Sequence, residues 1–390
     1  MCSKCETSAK QIKNVYLDYG SSAPVEGDVL AEFNRIMQHH PGNANAQHAV
    51  GADAQNILQQ SKQCIGQSLC PNNADAYEIV MTSGATESNN LAIKGIYSAY
   101  RHVGKHILTT VLEHASVSTV LADLVNQGYV IELLKLDASG VIDLDALKKA
   151  LRKDTVLVCV SAVDAELGII QPMSCVSQII TEHNRSQHAQ THLHVDAAQA
   201  VGKIPVDAGI ADMMSVSAHK IGGIPGSGIL IKNKKIILEP QIVGGASDTC
   251  YRAGTPAVAL AASTAAATML AVSTQAAHHA YITAIKQKVM DALTQNPNIH
   301  INTPMGSIPN ILNISIDGFR GHVMRDALNE QGIYVSVKSA CAADNMMSRV
   351  VYALTHDKKR AMSAFRICFS HHTTSDEADY LIQTINDIIK

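Results

Sequence analysis

Asp196 lies in the run His194-Val-Asp-Ala-Ala-Gln199, and Lys220 closes Ser217-Ala-His-Lys220 just ahead of a glycine-rich stretch from Gly222 to Gly228. A carboxylate facing a lysine can be a plain ion pair. The same pair can also be half of a covalent cofactor site, because a lysine amine condenses with an aldehyde while an acid keeps a pyridine nitrogen protonated. Such a site, of which pyridoxal phosphate is the familiar occupant, also needs groups for a ring hydroxyl and a phosphate. Gln199, Ser217 and His219 are the candidates for those tasks.

Further upstream, Ser83-Gly-Ala-Thr-Glu87 joins an apolar run to a helical one. A glycine turn at a helix start offers backbone N–H groups to an anion, which makes Ala85 and Thr86 candidate phosphate contacts, Thr86 adding a hydroxyl. An ordinary capped turn is the competing reading. Cys341 precedes the polar stretch Ala-Ala-Asp-Asn-Met-Met-Ser348 between an expected strand and an expected helix. That placement predicts an exposed thiol, unlike Cys159 inside a strand, and leaves open a nucleophile or an idle surface cysteine.

The elements that must position these residues alternate. Strand patterns at 78–82, 106–112, 129–136, 155–160, 191–195, 213–216 and 228–231 are separated by helical spacing at 88–100, 116–126 and after Asp143, which implies an α/β fold with a mostly parallel sheet and right-handed crossovers. Both key residues then fall at strand ends, where open α/β sheets bind ligands. Thr255-Pro256 is expected to cap a long alanine-rich helix. The domain boundary is placed there: residues 1–14 form an arm, 15–256 a large domain and 257–390 a smaller α+β domain carrying the cysteine loop.

Composition narrows the function. Aromatic residues are only 4% with no Trp, and the formal charge of −3 gives no basic field, so neither nucleic acid nor a membrane surface is an expected partner. Nine cysteines at irregular spacing suit a reducing compartment, and Met-Cys-Ser-Lys-Cys-Glu is no secretory signal, so a cytoplasmic protein is expected. Cys2-x-x-Cys5 lacks a second pair for a zinc site, and no metal is expected. The uncharged run from Arg252 to Lys286 reads as a buried helix, and the glycine-rich stretch lacks the lysine–serine/threonine of a P-loop.

In chain order, Leu17-Asp-Tyr, Gly42-Asn, Thr82 to Gly95, Glu113-His114, Glu166-Leu-Gly, His194 to Gln199, Ser217 to Lys220, Arg252 to Thr255, Ser339-Ala-Cys341 and Phe365-Arg366 resemble the cysteine desulfurases of the NifS/IscS type. The resemblance spans nearly the whole chain. It implies a class V, fold-type I pyridoxal-phosphate enzyme with a seven-stranded type of sheet. Lys220 would carry the cofactor, Asp196 would face the pyridine nitrogen and Gln199 the ring hydroxyl. His114 would stack over the ring, and Thr86, Ser217 and His219 would hold the phosphate. It further implies that Thr255 reaches the phosphate of the other subunit in a homodimer, that Arg366 binds the substrate carboxylate, and that Cys341 takes sulfur from L-cysteine for a protein acceptor.

Four departures stand out: Asp164-Ala165 in place of two asparagines, Lys338 in place of a glycine, Ser247-Asp248 in place of Gln-Glu, and His371 in place of a second arginine. The alternatives are another class V lyase or aminotransferase, selenocysteine lyase among them, and a non-catalytic homologue acting as a binding partner. Retention of Lys220, Asp196, His114, Arg366 and Cys341 together argues against the last.

Overall fold

The computed structural model describes residues 14–245, 247–337 and 347–390. Its main sheet has seven strands in the order Tyr77–Thr82, Gly228–Asn233, Met213–Ser217, His192–Asp196, Thr155–Ser161, His106–Thr109 and Val130–Leu133. Only Gly228–Asn233 runs against its neighbours. The reason is chain length: the stretch between Ser217 and Gly228 is too short for a parallel crossover, which takes about a dozen residues or more. Thr155–Ser161 is buried at every position, as a parallel strand covered on both faces should be. The mostly parallel α/β sheet expected from the sequence is therefore present.

Helices Ala85–Ala99, Ala115–Val125 and Met173–Gln187 make the crossovers. Asp143 caps Leu144–Ala150 by accepting from the N–H groups of Asp145 and Ala146. The helix after Gly84 begins at Ala85, three residues earlier than periodicity alone suggested, because Gly84 itself makes the turn.

A second, antiparallel sheet orders Ala364–Cys368, Ile311–Ile316 and Ile299–Ile301. Its core joins Leu312, Ile314, Phe365 and Ile367 to Leu381 of the helix Ser375–Ile388, which opens with a capping box between Thr374 and Glu377. Strand Val15–Tyr16 pairs in parallel with Ile333–Tyr334, and Val15 and Leu17 belong to this same core.

Helix Val258–Leu293 links the two cores, with Val258 to Ala262 packed on Leu58 and Ile282 to Leu293 in the core of the smaller sheet. Thr255 does not cap it. Ala257 occupies that position, because Gly254 at φ +127° and the turn from Val258 N–H to Pro256 O delay the first helical bond to Ala261 N–H. The helix is long and apolar enough to cross a membrane by composition, but half of that window is buried inside the protein, as in a soluble core helix.

Candidate active site

Three strands that point the same way, the neighbours Met213–Ser217 and His192–Asp196 and, beyond antiparallel Gly228–Asn233, Tyr77–Thr82, deliver Ser217, Asp196 and Thr82 to one edge of the sheet. A cavity of about 270 Å³ opens there. Ala85, Thr86, His114, Asp196, Gln199, Ser217, His219, Lys220 and Arg366 all line it, so one space gathers nine of the residues singled out from sequence. Thr255 is exposed and is not among its walls. Cys341 and Lys338 lie outside the described residues.

The strand end and the helix start can meet only because two glycines touch. Gly84 adopts φ +152°, and a Cβ on Gly228 would fall 2.4 Å from Gly84 Cα. No side chain caps helix Ala85–Ala99, and Ala85 and Thr86 in its first turn line the cavity. Its positive end and the pair formed by Ser217 Oγ and His219 Nδ1 at 3.0 Å make one wall suited to an anion.

Asp196 is buried. Its Oδ1 accepts from Ala198 N–H at 2.9 Å and its Oδ2 from the Asn89 side-chain amide at 2.8 Å. The same amide donates to Ser116 Oγ at 2.8 Å, while Asn89 Oδ1 meets His194 Nε2 at 2.9 Å. Ser116 Oγ lies 2.9 Å from His114 Nδ1, which also accepts from Ser116 N–H. Nδ1 is thus an acceptor, and neutral His114 carries its proton on Nε2. Burial, and then the charge of Lys220, hold its pKa below the ordinary imidazole value.

Gln199 is already engaged: its amide donates to Gly20 O at 2.8 Å, and its carbonyl accepts from Lys203 Nζ. A second amide hydrogen is left for a ligand. Arg366 is 1% exposed and donates to Ala165 O at 2.7 Å, Asp18 Oδ1 at 2.9 Å and Ser21 Oγ at 2.9 Å. Its buried Nε has no partner. Arg366 itself lines the cavity, and a guanidinium there suits an incoming carboxylate.

Beside Arg366, Asp164 Oδ2 accepts from Leu167 N–H at 2.5 Å and Glu166 N–H at 3.2 Å, whereas its buried Oδ1 has no partner. Burial, reinforced by Glu166, pushes this carboxyl up to about 7. Glu113, bonded to Thr110 and Ser161, is also raised to about 7 by burial.

Asn89, Ser116 and Asp164 were not assigned roles from the sequence. Asn89 is fully buried while its neighbour Asn90 is only partly so, and spacing from the Gly84 turn is the one signal that separates them. Taken together, the covalently competent lysine, the fixed carboxylate and the uncapped helix start fit pyridoxal phosphate.

The family model for aminotransferase class-V matches residues 15–381. A NifS/IcsS protein homolog of Lactobacillus delbrueckii subsp. bulgaricus is 34% identical over 380 residues, covering 96% of this chain and 97% of that one. Cysteine desulfurase IscS of Colwellia psychrerythraea is 35% identical over 384 residues, covering 96% and 92%. Among solved structures, a NifS-like protein superposes with a TM-score of 0.89 at 30% identity, covering 97% of this chain and 99% of its own.

Proposed function

The chain belongs to the aminotransferase class-V family and, within it, to the NifS/IscS-type cysteine desulfurases, and on that premise we propose how its residues divide the conversion of L-cysteine to L-alanine. Pyridoxal phosphate, when bound, supplies an electron sink that stabilises negative charge at the substrate Cα. Asp196, fixed by Asn89 and Ala198, would hold the pyridine nitrogen protonated. Thr86, the amides near Ala85, Ser217 and His219 would take the phosphate, and the free amide hydrogen of Gln199 the ring oxygen. Lys220 would anchor the cofactor and, once the substrate amine replaces it, serve as base for the Cα proton.

His114, neutral and with its proton on Nε2, is positioned to pass a proton beside Lys220. Arg366, on the cavity wall, binds the substrate carboxylate. The Cys341 thiolate takes the substrate sulfur, forming a sulfur–sulfur bond as the carbon–sulfur bond breaks. The resulting persulfide delivers sulfur to a protein acceptor, such as one serving iron–sulfur cluster assembly. Exposed Thr255 completes the phosphate site of a second copy in a homodimer. Irregularly spaced cysteines support a cytoplasmic setting.

The observation that carries this reading is Lys220 and Asp196 on the walls of one cavity with an uncapped helix start. The test is release of alanine and sulfide from L-cysteine, with selenocysteine as comparison substrate, by the parent and by Cys341→Ser and Lys220→Ala. Cys341→Ser should keep cofactor and lose sulfide release, and Lys220→Ala should no longer be labelled by cofactor after borohydride reduction. Sulfide release at the parent rate from Cys341→Ser would favour another class V lyase.

A further inference from the structure

His371 stands where a second arginine was expected, and its side chain does not line the cavity holding Asp196. It faces a separate cavity of about 190 Å³ that shares Lys220 and Gly20 with the first and is also lined by Glu26, His278 and His372. Glu26 Oε1 lies 3.2 Å from His371 Nε2 and 3.3 Å from His372 Nε2. All three donor atoms fall within 4.8 Å of one another.

Those separations are long for a charge-assisted hydrogen bond, which runs about 2.7–2.9 Å. They come close to a different geometry, with the two histidine nitrogens within 4.8 Å of each other. A tetrahedral ion with imidazole and carboxylate ligands at about 2.0–2.2 Å sets neighbouring donors roughly 3.3–3.5 Å apart. Two imidazole nitrogens and one carboxylate oxygen within 4.8 Å of one another are also a donor set that first-row divalent metals prefer.

The ligands sit on braced backbone. Ser370 N–H donates to Thr373 Oγ1 at 3.1 Å and His372 N–H to Ser370 Oγ at 3.1 Å, fixing the turn that presents both histidines. The His371 ring is clamped by His278, stacked on it at 3.9 Å and 8° between planes. Glu26 N–H donates to Gly222 O at 2.9 Å, and Ala23 N–H to His219 O at 2.7 Å. The backbone that carries the carboxylate is therefore tied to the loop that carries Lys220.

We propose that Glu26, His371 and His372 form a binding site for one divalent transition metal, with a fourth position open to water or solute from the adjoining cavity. The ion would pin the turn at 370–373 to the segment 23–26 and so brace the Lys220 loop from behind. This goes beyond the desulfurase reading and does not depend on it.

Equilibrium dialysis of the holoenzyme against Zn²⁺ under reducing conditions tests the site. Thiols give a background, so the difference between proteins is what counts. The parent should hold one equivalent more than His371→Ala/His372→Ala, and Glu26→Gln should weaken that equivalent at least tenfold. X-ray absorption of the zinc in the parent provides a readout that needs no variant to fold: nitrogen and oxygen ligands near about 2.0–2.1 Å are expected, against about 2.3 Å for sulfur. Equal stoichiometry and affinity in all three proteins, or a shell of sulfur alone at one equivalent, overturns the proposal.

Discussion

The side-chain amide of Asn89 donates a 2.8 Å hydrogen bond to Oδ2 of Asp196, and through Ser116 it connects that carboxylate to His114. The group expected to face the ring nitrogen and the group expected to lie over the ring are thus held by one asparagine. Asn89 also accepts from His194 Nε2. Its three bonds leave no freedom to either partner.

Asn89→Ala should therefore leave buried oxygens on Asp196 and Ser116 short of a donor, at a cost of about 1–3 kcal/mol. If the whole of that cost falls on the cofactor-bound state, cofactor affinity drops by roughly 5- to 150-fold. Spectrophotometric titration of the apoenzyme with pyridoxal phosphate measures it. An unchanged dissociation constant would mean that Ala198 N–H alone orients Asp196.

Much of this arrangement was legible in the sequence because strand ends are legible. Apolar runs such as Thr155–Ser161 fix where a buried strand lies, so Asp196 and Ser217 had to emerge at one edge once the sheet was known to be parallel. What escaped was contact across the fold. Buried Asn89 and part-exposed Asn90 read alike in one dimension, and the approach of Glu26 to His371 joins opposite ends of the chain. The start of helix Val258–Leu293 was misplaced for a local reason, since the left-handed Gly254 carries Thr255 away from the capping position.

Asp164 makes stability depend on pH. Its folded pKa of about 7 lies well above the ordinary carboxylate value near 4, so the folded chain binds its proton more tightly than the unfolded chain does. The associated stability is present in full at acid pH and is lost as pH rises to 7. Glu113 contributes with the same sign. Asp164→Asn, which keeps an oxygen for the N–H groups of Glu166 and Leu167, should come closest to the parent at about pH 4 or below and exceed it above pH 7 by on the order of 1–3 kcal/mol. Urea unfolding at the two pH values decides this, and an equal difference at both would show that folding does not raise the Asp164 pKa.

Arg366→Lys tests the carboxylate pocket. A lysine ammonium has three donors on one atom and cannot span Ala165 O, Asp18 and an incoming carboxylate as the guanidinium can. The KM for L-cysteine should rise at least tenfold with a smaller change in kcat, since substrate positioning is lost before the Cα proton chemistry. A fall in kcat at constant KM would place the arginine's effect on the chemical step instead.

Ala165 is the departure that faces the cavity directly, and its backbone is not free to adjust, because Ala165 O accepts from Arg366. An asparagine there would extend an amide toward the ring oxygen that Gln199 is proposed to meet with its one remaining amide hydrogen. One added hydrogen bond contributes about 0.5–1.5 kcal/mol net. Ala165→Asn should accordingly raise turnover by up to roughly tenfold, since about 1.4 kcal/mol is a factor of ten in rate. Turnover and the visible spectrum recorded against pH in both forms measure the effect. If neither moves, Gln199 alone satisfies that oxygen, and the alanine is a neutral exchange held in place by the Arg366 contact to its carbonyl.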